Sequence, residues 1–353
     1  MIFGATLVVA LCLLNLDVRG NETMKYLIAG LGSVGRRHMR NLVALDEKDI
    51  VLYRTHKATL PDDELAGYPV ETDFAEALKK HKPDAVIVSN PTSLHLDVAL
   101  PAAEAGCTIL LEKPIAASME RVDVLQKAVQ KSGSKVLVAF QFRFHPGMVK
   151  TRELIANSEI GRVVSASVHF GEYLPAWHPW EDYRTGYAAR AEMGGGVVAT
   201  QCHSLDYLPW LVGKRVEAVW GFADKISDLE VTADDTSKIG LRFEGGALGS
   251  LHLDYNQQPP EHEFRIIGTN GTIKWNLADG AARIYRTEKK DWDMYPLPAG
   301  WERNVMFQQQ TRHFVDIVMG KAEPFCTLED GVQVQRIIAS VHESQQAGRL
   351  VSL

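Results

Sequence analysis

One turn constrains this chain more than any other stretch. Gly30-Leu31-Gly32-Ser33-Val34-Gly35 stands between a short apolar run and an amphipathic one. Tyr26 to Ala29 reads as a buried strand and Ser33 to Leu45 as the helix that follows it. At such a junction Gly30 permits the tight turn, Gly32 lets the backbone approach a pyrophosphate, and Gly35 lets the helix pack closely on the strand. The helix start then offers unpaired N–H groups and a positive dipole end to phosphates. Gly30, Gly32, Ser33, Val34 and Gly35 are therefore the expected dinucleotide cradle. Outside a repeated βα array the same spacing would mean little.

Such an array is present. Ile50 to Tyr53, Ala85 to Ser89, Thr108 to Leu111 and Val136 to Phe140 are short, nearly continuous hydrophobic runs, as strands buried on both faces require. Between them lie helical segments at Asp73 to Lys80, Leu94 to Ala105 and Ser118 to Lys131, the last with Ser118 as expected N-cap and Gly133 as stop. Repeated units of this kind predict a doubly wound parallel sheet. An NAD site usually carries an acid about 20 residues after the glycine turn, on the ribose hydroxyls. Here strand two ends Tyr53-Arg54-Thr55-His56-Lys57, with no acid. Arg54 is placed to grip a 2′-phosphate, Thr55 adds a hydroxyl and Lys57 a further charge, so NADP is the preferred cofactor, with NAD possible.

Two more strand ends face the same crevice. One carries Asn90-Pro91-Thr92-x-x-His95, the other Glu112-Lys113-Pro114, where Pro114 fixes the local backbone. Asn90, Pro91, His95, Glu112 and Lys113 join the expected cofactor contacts. After about Pro146 the texture changes. A helix from Gly147 to Asn157 leads into alternating strands at 162–171, 215–223, 236–243, 248–255, 263–267 and 272–275, with hairpin signals at Gly245-Gly246 and Asn270-Gly271. A helix from His203 to Leu211 interrupts them, and helices at 304–319 and 328–346 close the chain.

With the glycine turn, Glu112-Lys113-Pro114 and the segment Gly194-Gly195-Gly196 through His203-x-x-Asp206-Tyr207, the chain resembles the Gfo/Idh/MocA family from about Met24 to its end. The resemblance implies a Rossmann dinucleotide-binding domain followed by an open-faced, largely antiparallel sheet domain with helices on one face. That is an α/β unit followed by an α+β unit, here 24–145 and 146–353, with the C-terminal helices packing back on the first. It also implies an NAD(P)-dependent oxidoreductase that moves hydride between nicotinamide C4 and a secondary alcohol of a sugar, polyol or sugar derivative. Lys113 matches the family lysine beside the nicotinamide, and His203 the catalytic histidine. The open sheet often carries the oligomer contact, which implies a homodimer or homotetramer. Relatives that cleave glycosides through transient NAD-dependent oxidation, and one that acts as a dinucleotide-sensing regulator, leave two other functions open.

Position 200 departs from the family pattern. Many members carry an aspartate four residues after the third glycine; here it is Thr200, which can hydrogen-bond a hydroxyl but supplies no charge. The His203 spacing is one residue shorter than usual. Asp206, one helical turn beyond His203, is the expected source of a carboxylate or else an anchor for the helix. Histidine titrates near neutrality and suits proton transfer, and a lysine beside a cationic nicotinamide would have its pKa lowered. Lys113, His203 and Asp206 form the expected catalytic set. Gly194 to Gly196 is expected to give flexible backbone for close approach to a ligand. Arg143 and His145 at the domain junction, and Trp177 and Tyr183 in the aromatic loop 173–184, are expected to line the substrate pocket with Thr200 and His203, since aromatic faces and hydroxyl-binding rims suit a polyol.

The remaining readings narrow the class. Thirty-eight basic against 44 acidic residues give a net charge of −6 and no basic stripe, which argues against a nucleic-acid partner. Four cysteines, Cys12, Cys107, Cys202 and Cys326, form no C-x-x-C pair, which fits a reducing cytoplasm; no metal ligand set is expected, and Cys202 is read as a small buried hydrophobe before a nucleophile. Met1 to Leu16 is apolar but short for a membrane span and lacks a basic n-region, so residues 1–23 are read as a non-native or mis-called extension, with a weak secretory signal as the alternative.

Overall fold

A computed structural model describes residues 23–55 and 60–353. The readings of the leader, of Cys12 and of Lys57 lie outside the described residues.

The first half forms a six-stranded sheet. Its strands are β1 (Tyr26–Ala29), β2 (Ile50–Tyr53), β3 (Val70–Glu71), β4 (Ala85–Val88), β5 (Thr108–Leu111) and β6 (Val136–Val138), all parallel in the order β3-β2-β1-β4-β5-β6. Every residue of β1 and β4 is buried, as expected for strands with helices on both faces. Those helices are α1 (Ser33–Ala44), α2 (Phe74–His81), α3 (His95–Glu104) and α4 (Val122–Ser132). The chain winds outward from β1 to β3, then returns to β4 and winds the other way. The reversal leaves a crevice at the carboxyl ends of β1 and β4, where Ala29 pairs with Val88, and such switch points are where ligands bind.

Two local expectations change. Ser118 does not cap α4: its Oγ accepts from the Glu120 N–H at 3.2 Å, closing a local turn, and the helix starts at Val122 behind Arg121 at φ 64°. Gly133 ends that helix at φ 74°, as expected. The two-residue β3 was not foreseen, being too short to show a period.

The second sheet has nine strands, β7 (Val163–Gly171), β8 (Val216–Asp224), β9 (Thr236–Phe243), β10 (Leu248–Asp254), β11 (Glu261–Gly268), β12 (Gly271–Asn276), β13 (Ala282–Arg286), β14 (Asp291–Tyr295) and β15 (Val351–Ser352). Their order is β14-β13-β12-β11-β7-β10-β9-β8-β15, antiparallel throughout except for the central pair β7 and β10. Burial alternates along β8, β9 and β11, so one face is covered and the other open. Gly245 and Gly246 turn β9 into β10 with φ 83° and 87°, values that a primed hairpin turn demands. At the other hairpin the loop is Thr269-Asn270, and Gly271 already pairs with Gly268, one residue on from the expected turn.

Helices α5 (Pro146–Ala156), α6 (Val197–Thr200), α7 (His203–Val212), α8 (Asn304–Val318) and α9 (Leu328–Ala347) complete the chain. Phe314 of α8 packs on Tyr26 of β1 with ring centroids 6.3 Å apart, and Asn304 meets Asn41 of α1 at 3.3 Å. Gly331 of α9 lies so close to Ile115 and Val138 that a Cβ would sit 2.5 Å from the isoleucine. The last helices thus clamp the first sheet. Among the described residues no helix is long and apolar enough to cross a membrane.

Candidate active site

The glycine turn has the shape its spacing demands. Gly30 takes φ +91°, and a Cβ there would lie 2.4 Å from the Asn90 nitrogen. At Gly35 a Cβ would lie 2.0 Å from the Gly30 carbonyl, so the helix can approach the strand only with glycine. Around Gly32 nothing lies within 4 Å of that position. Helix α1 has no side-chain cap and no acid in its first turn, so its first N–H groups lie at the positive end of the helix without a side-chain partner. Asn90 at the end of β4 buries its Oδ1 without a protein partner while its amide nitrogen donates to the Leu94 carbonyl at 3.0 Å. An uncapped helix start, an open glycine and an orphaned amide oxygen on one crevice fit a dinucleotide.

His95 does not face that crevice. It is buried, with Nδ1 2.9 Å from the Pro114 carbonyl and Nε2 3.0 Å from the Asn90 carbonyl, and burial holds its pKa below the usual value despite the two carbonyls. It ties the ends of β4 and β5 together instead of touching a cofactor. Glu112 is likewise turned inward, its Oε1 2.7 Å from His38 Nε2. Burial raises its carboxyl, but the His38 hydrogen bond and the charges of His38 and Lys113 outweigh that and leave it below the ordinary range.

Arg54 is 7% exposed and pairs through Nη1 with Asp62 Oδ1 at 2.9 Å, while Thr55 is exposed. Sequence spacing showed no acid here because Asp62 arrives from a loop after β2, not from the strand end. Arg36 secures that loop, donating to the Leu60 carbonyl at 3.1 Å and to Glu64 at 3.0 Å.

Lys113 lies just beyond β5, joined to Pro114 by a cis peptide, and its Nζ donates to the Thr200 carbonyl at 2.7 Å. The one-turn helix α6 leaves that terminal carbonyl without an intrahelical partner. The Thr200 hydroxyl is engaged elsewhere: it donates to the Gly196 carbonyl at 2.9 Å and touches the Tyr255 hydroxyl. The expectation that the Thr200 side chain binds substrate is thereby corrected, since its backbone meets the lysine and its side chain locks the helix. Burial works against the Lys113 ammonium, and Tyr187, Cys202, Glu112 and Glu172 more than offset it, so the pKa lies above the usual lysine value. Glu172 and Tyr255 close the carboxyl ends of β7 and β10, and neither stood out in the sequence.

The glycine run is packed against protein, not free. A Cβ on Gly194 would lie 2.9 Å from Thr92, one on Gly195 2.1 Å from the Tyr187 carbonyl, and one on Gly196 2.5 Å from Asp234. This close packing brings α6 and His203 against the Lys113 loop. His203 is buried, 3.1 Å from the Gln141 amide through Nε2, with Nδ1 unpartnered. Burial, then the charges of Lys113, His262 and Arg303, push its pKa well below the usual value, so it is neutral. Cys202 beside it is pushed up to about 12 by burial and is no nucleophile.

Asp206 and Arg143 leave the site. Arg143 Nη2 meets Asp206 Oδ1 at 2.6 Å, with Nε 3.1 Å from both carboxylate oxygens, and Asp330 stands 3.1 Å away. Burial pushes the Asp206 carboxyl up to about 6, with Arg143 pulling the other way, so it stays ionised at neutral pH. The pair anchors α7, and each expected role, acid for one and substrate contact for the other, is replaced by the partner. Tyr183 sits in a short turn and its hydroxyl accepts from the Glu230 N–H at 3.1 Å. Trp177 stands edge-on to Tyr255 at 5.6 Å with an unpartnered Nε1.

His145 is also withdrawn. It is fully buried between Trp275 and Trp301, and its Nδ1 accepts from the Gly147 N–H at 3.1 Å to cap α5. Burial lowers its pKa to about 4, and that of the buried His262 to about 3. The unfolded chain takes up protons first, near pH 6.5, so these neutral rings favour folding above that pH and the contribution is lost as pH falls toward 4 and 3. Between pH 6.5 and 5 each should remove on the order of 2 kcal/mol of stability. Urea midpoints at the two pH values test this; an unchanged midpoint would refute it.

Comparison with known proteins agrees with this geometry. Residues 24–140 match the oxidoreductase family NAD-binding Rossmann fold, and residues 148–274 the GFO/IDH/MocA C-terminal domain. The chain belongs to the Gfo/Idh/MocA oxidoreductase family. A D-xylose 1-dehydrogenase (NADP(+)) of Haloferax volcanii is 26% identical over 338 residues, covering 94% of this chain and 100% of the relative. A myo-inositol 2-dehydrogenase of Thermotoga maritima is 26% identical over 345 residues, covering 94% and 98%. The solved levoglucosan dehydrogenase in complex with NADH and levoglucosan shares the fold with a TM-score of 0.81 at 21% identity, covering 94% and 99%.

Proposed function

We propose that this family member reversibly oxidises a secondary alcohol of a sugar, polyol or sugar derivative, with Lys113 and His203 at the reacting hydroxyl. The observation that carries the reading is the meeting of Lys113, held by the Thr200 carbonyl, with a neutral buried His203 whose Nδ1 has no partner. A dinucleotide whose pyrophosphate is held at the glycine turn would supply the hydride-transfer chemistry. Lys113 Nζ orients the substrate oxygen and exchanges its proton, while His203 Nδ1 holds the same oxygen from the second domain. Trp177, edge-on to the buried Tyr255, supplies the apolar face that a ring with C–H faces needs. The curated relatives act on xylose and inositol by name, which supports a polyhydroxylated substrate.

NADP is the preferred cofactor in this reading. Arg54 lies at the end of β2, and a 2′-phosphate would replace Asp62 as its partner. The open face of the second sheet carries Trp220, Phe222, Leu248 and Ile267, each more than 40% exposed, which supports a homodimer or homotetramer formed there. The test is a screen of sugars, polyols and uronic-acid derivatives with NADP and NAD, read by reduced-cofactor absorbance. Reduction with no member of the panel would overturn the substrate class. Arg54→Ala should lower kcat/KM with NADP about 10- to 100-fold, the worth of a charge-assisted phosphate contact, and leave NAD nearly unchanged. Equal losses with both cofactors would refute the 2′-phosphate role.

A further inference from the structure

The central strands of the second sheet carry a polar cluster that the reaction does not use. β7 and β10 run parallel with His169 opposite His252 and Gly171 opposite Asp254, all on the open face. One ligand atom from each of His169, His252 and Asp254 lies within 4.8 Å of the others. His252 Nε2 stands 2.9 Å from Asp254 Oδ2, and the two imidazole centroids are 4.7 Å apart. Gly171 makes the room, since a Cβ there would lie 2.5 Å from Asp254 Oδ2. A fourth oxygen is at hand: Glu261 Oε2 is 3.9 Å from His169 Nε2, and the Gln257 side chain bridges the two.

We propose that His169, His252 and Asp254 form a divalent transition-metal site, with Zn²⁺ the fitting ion and Glu261 or water the fourth ligand. Two imidazoles and one or two carboxylates form a nitrogen–oxygen set suited to zinc. Ligands at about 2.0–2.2 Å from one tetrahedral ion lie roughly 3.3 Å apart, so the side chains need close only a small gap. Within one chain the ligand side chains stay partly exposed, His169 36% and His252 19%. Its place gives it a use. β7 and β10 end in Glu172 and Tyr255, and the Glu172 N–H donates to the Asp254 carbonyl at 3.1 Å. An ion joining the strands would stiffen the strand ends that carry both residues.

Zinc titration tests this without substrate or dinucleotide. Chelator-stripped protein should bind one equivalent of Zn²⁺ per chain, with Tm raised as saturation proceeds. His252→Ala and His169→Ala should each lose that equivalent and the rise in Tm, while keeping their metal-free circular dichroism and dinucleotide binding. Full-chain protein loaded with Co²⁺ should show the intense visible bands of a tetrahedral site, and the variants should not. Absence of zinc binding by the wild-type chain, or equal binding by both histidine variants, overturns the proposal.

Discussion

Lys113→Met should lower kcat by about 10²- to 10⁴-fold, the usual worth of a positioned acid–base group, while dinucleotide binding changes little. Methionine keeps the length and apolar stem of lysine but can neither donate to the Thr200 carbonyl nor exchange a proton with a substrate oxygen. The cradle at Gly30 to Gly35 is built from backbone and does not depend on the ammonium. The pH dependence of the wild type adds a sign. Burial opposes the charge, and the surrounding acidic groups hold the pKa above the ordinary lysine value. A raised pKa means the free amine is scarce at neutrality, so alcohol oxidation should accelerate with rising pH and carbonyl reduction should slow. Both limbs should vanish in the methionine variant. Turnover and dinucleotide fluorescence titration together decide the matter: unchanged kcat sinks the assignment, and equal loss of binding reduces Lys113 to a structural strut.

The sequence carried the first sheet well, for a physical reason. Strands buried on both faces must be apolar throughout, and the glycines at 30 and 35 are dictated by contacts of the backbone with itself, which spacing reports directly. The second sheet was legible where one face is covered and burial alternates. β13 and β14 escaped because the charges in ARIYR and DWDMY mask the period, with β14 at the sheet edge. The candidate site was legible at Lys113 and His203 as positions, since both sit at element ends with a recognisable motif. It was illegible where a partner comes from afar. Asp62 reaches Arg54 across a loop, the Thr200 carbonyl acts instead of its side chain, and Glu172 and Tyr255 enter through the register of two strands. Spacing along the chain carries no information about such meetings. The same blindness made Asp206, Arg143 and His145 look like site residues, because polar groups near a motif read alike whether they face a pocket or one another.

Asp206→Ala separates those alternatives with a large effect. Its carboxylate is 1% exposed and bound to Arg143 through three contacts, so removal leaves a buried guanidinium with only Asp330 and the Phe325 carbonyl for compensation. Breaking one half of a buried pair costs about 3–5 kcal/mol, and the surviving Asp330 contact, on a side chain 29% exposed, places the loss toward the lower end. Urea unfolding should show that drop, while the folded fraction keeps kcat within a few-fold, because α7 still carries His203 to the Lys113 loop. Removing both charges with an apolar pair, Arg143→Met with Asp206→Leu, should restore much of the stability, since a well-packed hydrophobic replacement is often neutral or better. A catalytic carboxylate would behave oppositely. Stability would hold, kcat would fall by two orders of magnitude or more, and the double variant would be as inactive as the single one. The geometry favours the first pattern, for Asp206 points its oxygens at Arg143, and the Lys113 ammonium is held by the Thr200 backbone carbonyl, which no substitution of a side chain can remove.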